Sequence, residues 1–430
     1  MYFTSTQNIE RAYSIDEAIS LGLAPDGGLL VPLSFPKTVL ESDAMALPAL
    51  SLEILRPFFV GSKIEHSLDD ICDRVFNFPT PVTSKRFNGA NIQLLELFHG
   101  PTAAFKDYGA RFLIACLHKL NHDNATALTI LVATSGDTGG AVAAAVAETN
   151  LSACILFPKN GVSELQERQL CCWPDNILSL RIASDFDACQ SIVKQAFNDT
   201  DLRHRKRLTS ANSINVARLL AQMVYYWHAS IGAKRERGAD ANFIVPTGNL
   251  GNALACVWAR RMGAPIGKIH VAVNANQTLA DFAVSGEYVP RPSVKTLSNA
   301  MDVGAPSNFE RLSNLLGKAT LSDEVISVSS HSDQETQDAI LKFHQENDGF
   351  ICPHTAVGMA ALAGDAVGKG DDWIVAATAH PAKFNDIIEP IIGRGAEPPT
   401  TLSALHRAPI SVQDEEADYV LVRERILKFS

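Results

Sequence analysis

The hydrophobic positions downstream of residue 98 fall into two patterns that alternate along the chain. Short, uninterrupted apolar runs are typical of buried strands, and the segments between them have the three-to-four-residue apolar spacing of amphipathic helices. The first series predicts strands at 128–133, 153–157 and 177–182, with helices at 138–148, 163–172 and 186–197. After a longer helix at 214–228, the second series predicts strands at 243–245, 269–273, 326–328 and 373–377, with helices at 252–262, 333–345, 355–363 and 384–392.

This alternation predicts an α/β fold with two open, mostly parallel sheets, because strands that alternate with helices form βαβ units. The two series meet near residues 200–240, and the first 90 residues lack the alternation. We therefore predict an N-terminal accessory domain, a larger domain, a smaller domain and a C-terminal tail with a helix, at residues 1–90, 91–125 with 231–400, 126–230, and 401–430. Open α/β sheets bind ligands beyond the carboxyl ends of their strands, so a ligand site is expected in the loops there.

Composition narrows the possible functions. The 430 residues carry a formal net charge of -10, which argues against a nucleic-acid partner because duplex binding needs a basic excess. The eight cysteines form no Cys-x-x-Cys pair, so we expect buried free thiols and no metal site. No apolar run approaches the roughly 18 residues of a membrane helix, and the first residues lack the pattern of a signal peptide. These features predict a cytoplasmic protein with no membrane partner.

The strongest chemical candidate is Lys106, within the segment ELFHGPTAAFKDYGAR at 96–111. Gly100 and Pro101 predict a turn, apolar and small residues precede the lysine, and a helix is predicted from Asp107 onwards. Burial and the positive end of a helix dipole both disfavour the ammonium form, so we expect a lowered lysine pKa. A neutral amine suits Schiff-base chemistry with an aldehyde. The alternative is an ordinary solvent-exposed lysine at a helix start.

Two glycine-rich loops each follow a predicted strand and precede a predicted helix. Residues 134–140 (TSGDTGG) combine hydroxyls with backbone N–H groups, which suits a carboxylate or merely caps the helix. Residues 246–253 (PTGNLGNA) predict a phosphate cradle, with a plain tight turn as the alternative. The second loop lacks the lysine of a Walker A motif and the spacing of a dinucleotide fingerprint, so a cofactor monophosphate suits it better.

Two further segments complete the candidate site. Residues 210–218 (SANSINVAR) predict either a second phosphate site containing Arg218, or N-capping by Ser213 beside a surface arginine. Thr378 follows a predicted strand, where its hydroxyl could hydrogen-bond a neutral heterocyclic nitrogen. A lysine for an aldehyde, a phosphate cradle, a carboxylate loop and a second phosphate site together describe pyridoxal phosphate (PLP) chemistry on a phosphorylated substrate.

At these residues the chain resembles the threonine synthase family, in its longer form with an extra N-terminal domain. The matching motifs cover most of the chain in one order, at 22–28, 96–107, 133–139, 158–167, 186–190, 210–215, 246–252, 297–308, 353–358 and 378–384. The resemblance implies the fold of β-family (fold type II) PLP enzymes, with the cofactor in the larger domain. It also implies a carbon–oxygen lyase of threonine biosynthesis that converts O-phospho-L-homoserine and water to L-threonine and phosphate. We expect a monomer or homodimer.

The resemblance also implies roles for individual residues. Lys106 matches the catalytic Schiff-base lysine, with Phe105 beside it, and Thr378 matches the partner of the pyridine nitrogen. The other matches are the cofactor phosphate loop (Gly248, Asn249, Leu250, Gly251 and Asn252), the loop near the substrate carboxylate (Ser135, Asp137 and Thr138) and the substrate phosphate region (Asn212, Ser213, Asn215 and Arg218).

Some positions depart from the family pattern. Cys352 stands where an acid is usual, and Leu250 and Asn252 replace the more usual Phe and Asp. These departures leave open a PLP-dependent phospho-lyase that releases 2-oxobutyrate from O-phosphohomoserine or O-phosphothreonine. A catalytically inactive α/β ligand-binding protein also remains open.

Overall fold

The computed structural model describes residues 1–38, 40, 46–122, 128–324, 326–364, 367, 372–405 and 408–429. Its N-terminal unit contains β1 (Tyr2–Ser5), β2 (Ala12–Ser14), α1 (Ile15–Leu21), β3 (Leu30–Pro32), α2 (Leu47–Phe59) and α3 (Leu68–Val75). The strands pair antiparallel in the order β2-β1-β3. Ser14 and Glu17 form a reciprocal capping box that starts α1 directly after β2.

Strands and helices alternate beyond this unit. The elements are, in chain order, β4 (Val82–Phe87), β5 (Ala90–Glu96), α4 (Lys106–Leu120), β6 (Leu128–Ala133), α5 (Asp137–Ala147), β7 (Ser152–Pro158), α6 (Glu164–Cys171), β8 (Ile177–Ile182), α7 (Phe186–Asn198), α8 (Thr200–Arg205), β9 (Arg207–Ser210) and α9 (Val216–Arg237). They continue with β10 (Ala241–Pro246), α10 (Gly251–Met262), β11 (Ile266–Val273), α11 (Thr278–Ser285), α12 (Phe309–Leu316), β12 (Ile326–Ser330), α13 (Asp333–Asn347), α14 (Pro353–Ala363), β13 (Trp373–Ala377), α15 (Asn385–Ile392), α16 (Thr400–Leu405), β14 (Gln413–Glu415) and α17 (Tyr419–Lys428).

These strands form two sheets in the described part of the chain. The large sheet has the order β12-β11-β10-β13-β5-β4, in which the β4–β5 hairpin is antiparallel and the other neighbours are parallel. The small sheet has the order β14-β8-β7-β6-β9, with parallel neighbours. This arrangement confirms the predicted fold class.

Three strands inside the sheets are buried along their whole length. Every residue of β6, β7 and β13 is buried, as expected for parallel strands covered by helices on both faces. Three predicted strands, 128–133, 177–182 and 373–377, coincide with β6, β8 and β13. The predicted helix at 214–228 begins later, at Val216, because the Asn215 side chain accepts a hydrogen bond from the N–H of Ala217 and caps α9.

Two strands join sheets other than the sequence-based division suggests. The predicted N-terminal domain extends to residue 90, but β4 begins at Val82 and pairs with β5 in the large sheet. The predicted tail begins at residue 401, and its strand β14 pairs with β8 at the edge of the small sheet. Strand pairing alone does not define domains, so the domain boundaries stay a prediction.

The cysteines match the expectation of buried free thiols. Among the described residues the eight cysteines are free, and all but Cys172 are buried. Burial raises the pKa of the Cys72 and Cys189 thiols to about 12. Across the described ranges, no helix has the length and apolarity to cross a bilayer, and no group of His, Cys, Asp and Glu side chains could hold a metal ion.

Candidate active site

The segments predicted to carry chemistry meet at one edge of the large sheet. The chain leaves the carboxyl ends of the adjacent strands β5, β13 and β10 toward Lys106, Thr378 and the loop at 247–251 respectively. The Lys106 and Thr378 segments bond directly, because the N–H of Phe105 donates to the Thr378 carbonyl at 2.8 Å. The lysine and the glycine-rich loop therefore lie around the same edge, on strands separated by one neighbour.

Lys106 is the first residue of α4, as the sequence predicts. Its side chain is half-buried, and Nζ lies 4.5 Å from the centre of the Phe105 ring. The pKa of its ammonium is lowered to about 8, mainly by burial and further by the positive charge of Arg218, with Asp137 opposing. The direction agrees with the expectation from the sequence, and a substantial fraction of this amine is neutral in mildly alkaline solution.

A strained residue lies three positions before the start of α4. Ala103 is fully buried and has a φ of 54°, in the left-handed region that alanine rarely adopts. Its N–H donates to the carbonyl of Gly100 at 3.0 Å, and its carbonyl accepts from the N–H of His380 at 3.0 Å. These bonds hold the turn that aims Lys106 into the site.

The loop at 247–251 has the shape of a cradle for an anion. A Cβ atom on Gly248 would lie 2.7 Å from the Cα of Met301, so the backbone packs too closely there for a side chain. Leu250 adopts a φ of 62° and directs the chain into α10, whose first turn presents N–H groups without intrahelical partners. Asn249 braces the loop, because its Nδ2 donates to Ser213 Oγ at 2.7 Å and its Oδ1 accepts from the N–H of Ser307.

Asn252, assigned to the same loop, directs its side chain toward the core. Its Oδ1 accepts hydrogen bonds from the hydroxyls of Tyr225 and Tyr226, the latter at 2.9 Å. Its Nδ2 is buried and has no hydrogen-bond partner among the described residues. The tyrosines thus orient Asn252, whereas its backbone belongs to the first turn of α10.

The polar side chains of the loop after β6 differ in burial and in whether they are already paired. Ser135 and Thr138 are half-buried, whereas Asp137 is buried. Asp137 Oδ1 lies 2.7 Å from Lys383 Nζ and accepts from Gln166 Nε2 at 3.0 Å. Burial acts to raise the pKa of Asp137, but the positive charge of Lys383 and these hydrogen bonds outweigh it and hold the pKa below its usual value. The Asp137 carboxylate is therefore ionised and already paired.

The residues at 212–218 separate into two groups. Arg218 is fully buried, not on the surface, and its Nη1 donates to the carbonyl of Ala211 at 2.5 Å. Within the described part of the chain, Arg218 Nε and Nη2 and Asn212 Oδ1 are buried without partners. Asn215 lies apart from them, since it caps α9 and donates from Nδ2 to the carbonyl of Ile19. The alternative of capping by Ser213 beside a surface arginine is wrong.

The sequence did not single out several polar residues that support the site. Lys383 and Gln166 hold Asp137, and Arg311 is fully buried and donates to the carbonyls of Ile214 and Leu30. Gln166 and Lys383 lie inside motifs that match the threonine synthase family, so the family resemblance was the signal that could have identified them. Their partners are distant in sequence, so no local pattern reveals their roles.

The site residues fit PLP. The amine of Lys106 suits the aldehyde, and the loop around Gly248 offers backbone N–H groups to a phosphate where a Cβ atom has no space. Thr378 is buried, its N–H donates to Thr355 Oγ1 at 3.2 Å, and its hydroxyl is 4.0 Å from Cys352 Sγ. That hydroxyl can therefore serve the ring nitrogen without carrying a formal charge.

This fold and this set of groups define a PLP-dependent enzyme. The family model described as "Pyridoxal-phosphate dependent enzyme" matches residues 75–378. The models "Threonine synthase N terminus" and "Threonine synthase, C-terminal" match residues 2–76 and 355–426. The predicted cofactor and enzyme class are confirmed by these matches.

Full-length relatives identify the family within that class. A threonine synthase from Haemophilus influenzae is 38% identical over 423 residues, covering 97% of this chain and 98% of the relative. The crystal structure of Escherichia coli threonine synthase aligns over 100% of both chains with a TM-score of 0.92 and 34% identity. A PLP-bound threonine synthase from Brucella melitensis aligns over 100% of this chain and 99% of its own, with a TM-score of 0.91 and 30% identity. The chain belongs to the threonine synthase family, and these relatives do not favour the phospho-lyase or the inactive protein.

Proposed function

We propose that the protein converts O-phospho-L-homoserine and water to L-threonine and phosphate, with PLP as cofactor. The observation that carries this proposal is Arg218, a buried guanidinium with two unpartnered nitrogens in the described structure, whose charge acts on Lys106. The glycine-rich cradle already suits the cofactor phosphate. A second buried receptor for an anion is useful to an enzyme whose substrate carries a phosphate of its own.

The proposed cofactor contacts follow from the geometry. Gly248, Asn249, Leu250, Gly251 and the backbone of Asn252 would hold the phosphate, and Thr378 would hydrogen-bond the ring nitrogen. When bound through Lys106, PLP supplies an electron sink that makes protons on adjacent carbons acidic. Lys106 Nζ, released when substrate binds and beside Phe105, is suited to move protons at Cα and Cβ of the substrate.

The proposed substrate contacts use the groups that lack internal partners. Asn212, Ser213 and Arg218 would hold the substrate phosphate, and Arg218 would stabilise it as it leaves from the γ-carbon with the electrons of the C–O bond. Ser135 and Thr138, at the N-terminus of α5, would hold the carboxylate. The proton removed from Cβ would be returned at Cγ, which becomes the methyl carbon of threonine; water would add at Cβ, and phosphate retained at Arg218 would accept the proton of that water.

A product assay tests the proposal. Purified holoenzyme incubated with O-phospho-L-homoserine should release threonine and inorganic phosphate in equal amounts. Formation of 2-oxobutyrate without threonine would make the phospho-lyase the function instead, and no turnover with no cofactor absorbance would indicate the inactive protein. Lys106→Ala should lose the cofactor absorbance and should no longer be linked covalently to PLP by borohydride. Lys119→Ala, on the same helix, should keep both properties.

We further propose that the enzyme works in the cytoplasm as a monomer or homodimer, without a nucleic-acid partner. The net charge of -10 supports the last point. Light scattering during gel filtration would measure the mass, and a trimer or larger particle would contradict the proposal.

A further inference from the structure

An ion pair lies between the two sheets, closed off from solvent. Lys383 Nζ is 2.7 Å from Asp137 Oδ1, and the side chains are 0% and 6% exposed. Asp137 begins α5, which follows β6 of the small sheet, whereas Lys383 follows β13 of the large sheet. A buried pair of this kind needs hydrogen bonds to its remaining polar atoms, because desolvation of both ions is costly.

Those hydrogen bonds connect the pair to the segment that carries Lys106. Lys383 Nζ donates to the carbonyl of Thr102 at 2.9 Å, which also accepts from Gln169 Nε2 at 3.0 Å. Thr102 in turn donates from its N–H and hydroxyl to Asp107, the residue after the lysine. The ion pair therefore fixes the loop at 135–138 against the turn that positions Lys106.

The charges around Lys106 give the pair a second consequence. Asp137 acts to raise the pKa of the Lys106 ammonium and Arg218 to lower it, while Lys106 and Lys383 both act to lower the pKa of His354. The neighbouring Asp107 carboxylate is turned toward Thr102. The Asp137 charge acts on both Lys106 and His354, so without Lys383 it would favour the protonated form of these two groups with no paired cation beside it.

We propose that Lys383 is a positioning residue that neutralises Asp137, so that Lys106 can release its proton and the carboxylate-binding loop stays docked beside it. The docking part of this inference rests on the proposed function, because that function places the substrate carboxylate at 135–138. The charge-balance part concerns Lys106 alone and holds for any reaction of its amine.

The pH dependence of PLP binding to the apo-protein reports the protonation of Lys106 and does not require turnover. The rate at which PLP forms a borohydride-reducible absorbance should rise with pH around a midpoint near 8 in the wild type. Lys383→Met should move the midpoint upward, with a roughly tenfold slower rate at pH 8, because the unpaired Asp137 holds the proton on Lys106. Asp137→Asn should move it downward, because the carboxylate that acts to raise the pKa of Lys106 is then absent.

The double variant separates charge from mere structural damage. Lys383→Met with Asp137→Asn leaves no unpaired buried charge, so its midpoint should return close to the wild-type value and its stability should exceed that of either single variant. The KM for O-phospho-L-homoserine should rise at least tenfold in all three variants, because each lacks the docking contact. The matched control is Lys342→Met, which breaks a partly exposed pair with Glu346 and should leave midpoint and KM unchanged.

Midpoints that move in the same direction in both single variants, or that do not move, would overturn the proposal. Where a single variant does not fold, the double variant decides, since a displaced midpoint there also contradicts charge balance. Ordered midpoints in a protein that makes no threonine would leave the role of Lys383 standing and reject the proposed function instead.

Discussion

Arg218 has a buried charge and hydrogen-bond donors that a bound anion can use. Its guanidinium is fully buried, yet within the described residues only Nη1 has a hydrogen-bond partner, the carbonyl of Ala211. Burial lowers its pKa to about 10, so the group still carries its charge at neutral pH. Because a buried charge without a partner is destabilising, an anion that pairs with it binds with the benefit of removing that penalty.

Replacing this side chain should weaken substrate binding far more than cofactor binding. Arg218→Ala should raise the KM for O-phospho-L-homoserine about 100-fold, as expected from losing two charge-assisted hydrogen bonds. Steady-state kinetics and the cofactor absorbance of the same preparation measure the two effects. Arg235→Ala, on the exposed end of the same helix, is the control and should behave as the wild type. Loss of the cofactor with an unchanged KM would assign Arg218 to PLP instead.

At this scale the sequence predicted residues whose chemistry is local. Lys106 could be identified because its turn, apolar neighbours and helix start are contiguous. The pairing of Asp137 with Lys383 could not, because the two residues are brought together only when β6 and β13 take their places in different sheets. Asn215 was grouped with Arg218 by proximity in sequence, yet it caps α9.

Among the elements, the cradle before α10 depends on a close backbone approach. Gly248 lies against Met301, and Leu250 accepts a left-handed conformation that is unfavourable for its side chain. Strain of this kind costs on the order of 1 kcal/mol per residue and persists where the surroundings hold it. Here Asn249 holds the loop through Ser213 and Ser307.

A methyl group at Gly248 should therefore open the cradle. Gly248→Ala must displace the backbone at Met301, so we expect PLP to dissociate at least tenfold more readily, measured by equilibrium dialysis of the holoenzyme. Gly232→Ala is the matched control, because Gly232 lies in α9 and a Cβ there meets no atom within 4 Å. That substitution should leave PLP affinity unchanged and stabilise the fold by up to about 1 kcal/mol. Equal PLP affinities for the two variants would contradict the cradle.

The elements that the sequence predicted share a strong apolar signal. β6 and β13 are continuous apolar runs, and both were located to the residue. The strand β14 has the sequence QDE with largely exposed side chains, so only its pairing with β8 makes it a strand. The β4–β5 hairpin was missed because β4 lies at an edge and only one of its six residues, Phe87, is buried, so it lacks a continuous apolar run.

For the whole molecule, two buried histidines and one half-buried histidine contribute to the response to acid. Burial lowers the pKa of His270, His354 and His380 to about 4 in each case. At neutral pH the rings are uncharged in both the folded and unfolded states. As the pH falls below the unfolded value of about 6.5, only the unfolded chain binds protons readily, so stability declines until the folded rings titrate near pH 4.

We expect the free energy of unfolding to fall steadily between pH 6.5 and 4. The loss is on the order of 3 kcal/mol for a fully buried histidine, and Asp302 opposes part of it because its pKa is raised to about 6, mainly by burial. Urea denaturation across this range measures the slope. His270→Gln should flatten the slope, whereas His66→Gln, at an exposed position, should not. An equal slope in the wild type and in His270→Gln would refute this account.

The return of the last strand to the small sheet has a consequence for how the protein is made. Among the described elements, the chain passes between the sheets three times, from β5 to β6, from β9 to β10 and from β13 to β14. The edge of the small sheet at β8 stays unpaired until residues 413–415 have left the ribosome, although the other strands of this sheet are synthesised before β10, β11, β12 and β13 of the large sheet. Nascent chains stalled before residue 413 should therefore expose the edge of β8, which would then pair with other chains or bind chaperones.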